Sequence, residues 1–420
     1  MPKRIISNKV NRRTVIKGAA AIGAMQIASP FVVKALGETP IKVGMIDPLT
    51  GVYAAYATNE VMGAKLAIEQ LNVRGGVLGR QIELLVEDSA NDVGTGVQKA
   101  RKLIERDGIQ FLIGDVNSAI ALAIGQVSNE KGILHIVSGG HTDGVTGKDC
   151  HWNVYRVCNT TSMEANAVAE QLFTKYGKKW HFITPDYAFG HTLQQAAEKD
   201  LKKFGGTMTG NELTPLGTTD FSAYLIKARA ANPDVLLVLP QGGDMINCMK
   251  QIAQFGINKA LHVAGLQQEL ESLEAMPPEA RVGTWMFEWY WKQPGVPHVE
   301  KFVADIRKMN SARVPTARHW FGYTSMMTYG LVANQEKSLD GKKLARALGG
   351  FVLPDEVKLQ PNKCYYRAGD HQLMTSSFVG QAQSVGKDDP EDLFQVDTVV
   401  PGDKTSPPES ETGCTLQWPA

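Results

Sequence analysis

Three turns in the N-terminal part of the chain carry side chains suited to holding a small anion. They read Pro48-Leu49-Thr50-Gly51 followed by Tyr53 and Tyr56, Gly114-Asp115-Val116-Asn117-Ser118, and Ser138-Gly139-Gly140-His141-Thr142. Glycines let the backbone approach a ligand and hydroxyls complete its hydrogen bonds. A helix N-terminus adds free N–H groups and a positive dipole end. A carboxylate is the group such a setting holds best. Asn117 or Ser118 is also placed to cap the helix that follows. The chemistry in view is binding. GxSxG, HExxH and Walker sequences do not occur, and the nine His residues fall in no metal-ligand pattern, so neither catalytic residues, a metal nor a cofactor is expected.

The elements that position these turns follow from periodicity. Apolar runs of strand length at Ile41–Asp47, Gln81–Glu87, Phe111–Gly114 and Ile133–Ser138 alternate with helical patterns. Val61, Ala64, Ile68 and Leu71 recur at spacings of three and four, and Val93–Arg106 and Ser118–Glu130 are helical in turn. The rhythm resumes with strands at Trp180–Thr184, Thr207–Leu213, Val235–Pro240 and Leu261–Ala264, separated by helices at 190–204, 219–231 and 244–255. Such alternation predicts parallel strands joined by right-handed crossovers, in two α/β units. In an open doubly wound sheet ligands bind beyond the carboxyl ends of strands, which is where the three turns fall. From about Ser384, Asp-Asp-Pro and Ser-Pro-Pro clusters predict irregular surface chain.

Composition narrows the class. At 420 residues, 43% hydrophobic and 21% charged, the chain is neither disordered nor collagenous and has the length of two globular units. Residues 1–35 hold seven of the 44 basic side chains and none of the 43 acidic ones. The remainder is therefore mildly acidic, a poor surface for nucleic acid. Asn11-Arg12-Arg13-Thr14-Val15-Ile16-Lys17, followed by a small-residue apolar run from Gly18 to Val33, reads as a twin-arginine export signal over residues 1–35. That run is shorter than the roughly 20 residues a membrane-spanning helix needs, so the mature protein is expected to be soluble and periplasmic, starting near Leu36. Of the five cysteines, Cys150 and Cys158 are close enough to close a short loop, or equally stand as isolated buried thiols; Cys248, Cys364 and Cys414 complete the set.

Ile41-Lys42-Val43-Gly44, Pro48-Leu49-Thr50-Gly51, Gly63-Ala64-Lys65-Leu66-Ala67, Asn72-Val73-Arg74-Gly75-Gly76-Val77-Leu78-Gly79-Arg80 and Glu87-Asp88 stand in a characteristic order. With Asp186-Tyr187-Ala188-Phe189-Gly190, Thr219-Asp220-Phe221-Ser222 and Gln251–Gly256, they make the chain, over roughly residues 40–380, resemble the periplasmic solute-binding proteins of branched-chain amino acid ABC importers. Gly75-Gly76-Val77-Leu78-Gly79 follows a helix and precedes a strand, so it is a turn and not a phosphate cradle.

The resemblance implies a type I periplasmic binding fold: two doubly wound, Rossmann-like lobes joined by a hinge that closes over a small ligand. It places residues 40–156 with about 285–372 in the N-terminal lobe, 157–284 with about 373–400 in the C-terminal lobe, and leaves 401–420 as an irregular tail. Carried over by position, Ser118 matches the hydroxyl that binds the ligand carboxylate, and Gly140, His141 and Thr142 form the second carboxylate turn. Tyr56 is an aromatic wall, Phe189 stands where the family often has Tyr, and Gln241 stands where a second Tyr contacts the amino group. The family pairs a ligand ammonium with an acid after a strand of the second lobe. Here that turn reads Ala264-Gly265-Leu266-Gln267-Gln268, with acid first at Glu269. An α-amino acid then lacks a partner unless Asp244 or Glu269 reaches the cleft, which favours an organic, aromatic or keto acid. Trp285-Met286-Phe287-Glu288-Trp289-Tyr290-Trp291, expected as a strand, predicts core packing, with Tyr290 a candidate for enclosing the ligand. The expected partners are a small carboxylate and the permease of an ABC importer. The alternatives are an exported sensor of the same fold serving a membrane receptor and an extracytoplasmic enzyme.

Overall fold

Each of the strand-length apolar runs becomes a strand within a few residues of its expected place. A computed structural model of the protein describes residues 39–309 and 314–419. The expected twin-arginine leader, residues 1–35, lies outside the described residues. Strands β1 (Ile41–Asp47), β2 (Ile82–Asp88), β3 (Phe111–Gly114), β4 (Leu134–Val137) and β5 (Val154–Arg156) form one parallel sheet in the order β2-β1-β3-β4-β5. A second sheet begins with β6 (Lys179–Pro185), β7 (Thr207–Thr214), β8 (Val235–Val238), β9 (His262–Ala264) and β10 (Thr284–Phe287), all parallel. After a small hairpin of β11 (Tyr365–Tyr366) and β12 (Leu373–Met374), β13 (Ser377–Ala382) and β14 (Phe394–Val400) extend it antiparallel, in the order β14-β13-β10-β9-β8-β6-β7. The result is a two-lobed α/β protein, one sheet per lobe, with helices packed on the sheets.

Between β10 and β11 the chain returns to the first sheet. There the helix Ala317–Glu336, buried on nearly every side, lies along the helix Ala54–Val73. Tyr329 of the former stacks on Phe111 of β3 at 4.3 Å. The two helices touch through glycines. A Cβ on Gly63 would fall 1.9 Å from the His319 carbonyl, and one on Gly322 would fall 1.9 Å from the Glu60 carbonyl. This contact brings Glu60 and Arg318, the charged groups nearest it, to the same end of the interface. Among the described residues no helix is long and apolar enough to cross a membrane.

Three expectations are corrected. The stretch beyond Ser384 is not all irregular: β14 pairs with β13 because Phe394 and Val396 pack into the second core. The tail folds back as well, through the helix Gly402–Thr405, a disulfide from Cys414 to Cys150, and Trp418 against Trp152 at 5.7 Å. Cys150 thus pairs with a partner 264 residues away, and Cys158 is a buried free thiol. The aromatic string is a strand only to Phe287. Beyond it Trp289 joins the first core, while Tyr290 donates to Asp392 and packs on Phe394, away from the cleft.

Candidate functional site

The carboxyl ends of the parallel strands converge on one small cavity of about 10 Å³, room for about a single water. Tyr53 and Tyr56 reach it after β1, Val116 after β3 and His141 after β4. From the second sheet come Tyr187 and Phe189 after β6, Gln241 after β8 and Gln267 after β9. Tyr56, His141, Phe189, Gln241 and Gln267, five of the expected ligand contacts, thus line one cavity, and Arg318 completes the lining.

The remaining predicted residues stand behind this wall. Asn117, not Ser118, caps the helix Ser118–Lys131, accepting from the Ala119 N–H at 2.9 Å. Ser118 is buried, and its hydroxyl accepts from the Thr142 N–H at 3.1 Å, so the two expected carboxylate contacts bond each other. The Gly140 and Thr142 carbonyls both accept from Arg156, at 3.0 and 2.5 Å. A Cβ on Gly139 would meet Arg318 Nη1 at 2.5 Å, so glycine there makes room for the guanidinium.

The lobes are closed on each other. The Tyr53 and Tyr187 hydroxyls lie 2.7 Å apart, the Gly242 N–H donates to the Tyr56 hydroxyl at 2.9 Å, and the Gly243 N–H donates to the Val52 carbonyl at 3.0 Å.

Arg318 is the feature the sequence reading missed. Only 2% exposed, its guanidinium stands 4.7 Å from the Tyr56 ring centroid and pairs with Glu60 at 3.0 Å and Glu269 at 2.7 Å. Its Nε is buried without a partner. Burial works against the charge of Arg318, but Glu269 and Glu60 outweigh it and hold the guanidinium protonated. Burial drives the Glu269 carboxyl well above the usual range despite Arg318, and Glu271, Glu288 and Glu60 add to the rise. Glu269 therefore reaches the cleft wall, already paired. Asp244 accepts from the Gly217 N–H at 2.8 Å, and burial lifts its carboxyl to about 6. One signal for the ion pair was legible: Glu60 shares the buried face of Ala64 and Leu71, and Arg318 stands in the first turn of a helix that carries no further Asp, Glu, Lys or Arg before its last residue, Glu336.

A second charged group lies beside the cavity. His141 Nε2 is 2.5 Å from Glu288 Oε1 and 3.8 Å from Glu164 Oε1, and all three side chains are buried. Burial depresses the imidazole, against the pull of Glu288. Burial, then the charges of Glu288 and Asp143, push the Glu164 carboxyl well above its ordinary range. A His and two carboxylates within 4.8 Å can hold a metal ion, which the sequence spacing did not predict.

Residues 40–388 match the family described as periplasmic binding protein. The Leu/Ile/Val-binding protein BraC3 of Rhizobium johnstonii is 30% identical over 222 residues, 52% of this chain and 60% of that relative, so the match spans less than two thirds of it. A periplasmic binding protein from Burkholderia mallei superposes with a TM-score of 0.83 at 26% identity, over 90% of this chain and 99% of the other. An ABC-transporter solute-binding protein from Rhodopseudomonas palustris, crystallised with 3,4-dihydroxybenzoic acid, superposes with a TM-score of 0.78 at 20% identity, over 86% and 98%, a likeness of fold alone.

Proposed function

The chain belongs to the periplasmic binding protein family, and on that premise we propose that it captures a small carboxylate-bearing solute outside the cytoplasm and delivers it to an ABC importer by closing its lobes. The lobes are residues 40–156 with about 285–372, and 157–284 with about 373–400, save that β10, Thr284–Phe287, belongs to the second sheet; Arg12-Arg13 mark the export signal. The observation that carries the reading is Arg318, a buried cation facing the cavity with an unused Nε–H. A ligand carboxylate satisfies that donor and competes with Glu269 for the guanidinium, with Ser118 and the Gly140–Thr142 turn behind it. Buried charge-assisted hydrogen bonds of this kind are strong. Tyr53, Tyr56, Tyr187 and Phe189 enclose a flat body, which supports an aromatic or keto acid.

One observation favours a second reading. A carboxylate that displaces Glu269 from Arg318 leaves Glu269 free to accept a ligand ammonium, so an amino acid is the alternative. A thermal-shift screen of the purified protein against aromatic acids, keto acids, amino acids and amides tests both. The expected result is a rise in melting temperature with one class of carboxylate, by mass action. A response to amides or amines alone overturns the reading, and a response confined to amino acids selects the alternative.

A further inference from the structure

We propose that His141, Glu164 and Glu288 form a binding site for a first-row divalent cation that ties the two lobes together beside the ligand cavity. The three donors come from separate parts of the fold. His141 follows β4 of the first sheet and Glu288 follows β10 of the second. Glu164 lies in the first turn of the helix Thr161–Tyr176, which packs on β10 and β13.

Two observations point to a cation. The first is Glu164, which is fully buried, with neither carboxylate oxygen hydrogen-bonded. A carboxylate taken out of water with no partner costs several kcal/mol, roughly, and the facing polar group is His141 Nε2. The second is a convergence of lone-pair atoms: His141 Nε2 lies 2.5 Å from Glu288 Oε1 and 3.8 Å from Glu164 Oε1, while the Gln267 amide donates to Glu269 at 3.2 Å and to Glu288 at 3.5 Å. A cation between imidazole, Glu288 and Glu164 takes a lone pair from each.

The spacing suits the ion. Metal–ligand bonds of about 2.0–2.1 Å in a tetrahedral site put neighbouring donors ~3.3 Å apart, and the two distances from His141 Nε2, 2.5 and 3.8 Å, bracket that value. One imidazole nitrogen with carboxylate oxygens suits zinc, manganese or ferrous iron better than calcium. Glu288 is oriented from outside by the Asn159 N–H, which donates to Oε2 at 2.7 Å, the kind of support that metal ligands carry.

The test uses the full chain, stripped with chelator and titrated with zinc chloride by calorimetry, alongside thermal melts and the visible spectrum of the cobalt(II) form. One zinc per chain with a raised melting temperature is expected, and Glu164→Gln should weaken uptake at least tenfold. Should that variant not fold, His141→Asn makes the same comparison. No stoichiometric uptake by the unmodified chain, or equal uptake by a folded variant, overturns the site. Carboxylate binding without zinc uptake would overturn this site and leave the transport reading standing.

Discussion

Two clusters of buried ionic groups flank the cavity, and they are satisfied in opposite ways. Around Arg318 each nearby acid has a bonded oxygen: Glu60 and Glu269 meet the guanidinium, and Glu271 accepts from Thr316 Oγ1 at 2.6 Å and Asn59 Nδ2 at 2.7 Å. Around His141, Glu164 is equally buried yet has no bonded oxygen at all. The acids are buried glutamates in both. The difference is whether the fold itself supplies the counter-charge. Where it does, the cluster joins helices of the first lobe to the second; where it does not, the acid takes a proton or a cation from outside the chain. Asp115 illustrates the proton: burial, opposed by the Asn117 N–H that donates at 2.7 Å, raises its carboxyl to about 8.

The sharpest way to break this contrast is to remove one member from each cluster. Arg318→Met strands two buried carboxylates and should lower unfolding free energy by about 3–5 kcal/mol in denaturant titration. Glu164→Gln, in the presence of chelator, should change stability little or raise it. Equal losses would mean that the clusters do not differ. Next in size is a pH effect. The folded chain holds the Asp115 proton more tightly than the unfolded chain, so this contribution is complete below about pH 4 and is lost as pH rises through about 8. In melts across pH 4–8, Asp115→Asn should remove that decline relative to the parent, and parallel curves would assign it elsewhere.

Smaller effects concern the ligand. Ser118→Ala should weaken binding of the solute by roughly 1–3 kcal/mol in calorimetry if the hydroxyl turns from the Thr142 N–H to a carboxylate. Unchanged affinity would confine Ser118 to structure. Tyr53→Phe removes only the hydroxyl contact with Tyr187 across the closed cleft. It should reduce affinity by about 0.5–1.5 kcal/mol, with a matching shift toward open forms in small-angle scattering. No change in either would show that closure does not rest on this pair.

Much of the architecture was legible because it is local. Strand and helix periods at Ile41–Asp47, Phe111–Gly114 and Ser118–Lys131 are set by neighbours in sequence, and the cavity-lining turns follow from where strands end. Tyr56, His141, Phe189, Gln241 and Gln267 were found through that rule and the family resemblance. Tyr290 and the tail were misplaced because an aromatic or a proline-rich stretch does not say which surface it meets. The Cys150–Cys414 bridge was illegible for the same reason, since five cysteines at wide spacing admit many pairings.

The amino-acid sequence by itself determined an α/β chain with parallel strands, turns that meet beyond the strands' carboxyl ends and a long-range likeness to solute-binding proteins. Only the tertiary structure decided that Arg318 finds Glu60 and Glu269, and that His141, Glu164 and Glu288 share one dry corner. Periodicity is written in the nearest few residues, whereas the energy of a buried charge depends on which groups the packing brings within a few ångströms. His141 and Glu288, 147 residues apart, meet only because two sheets close on each other.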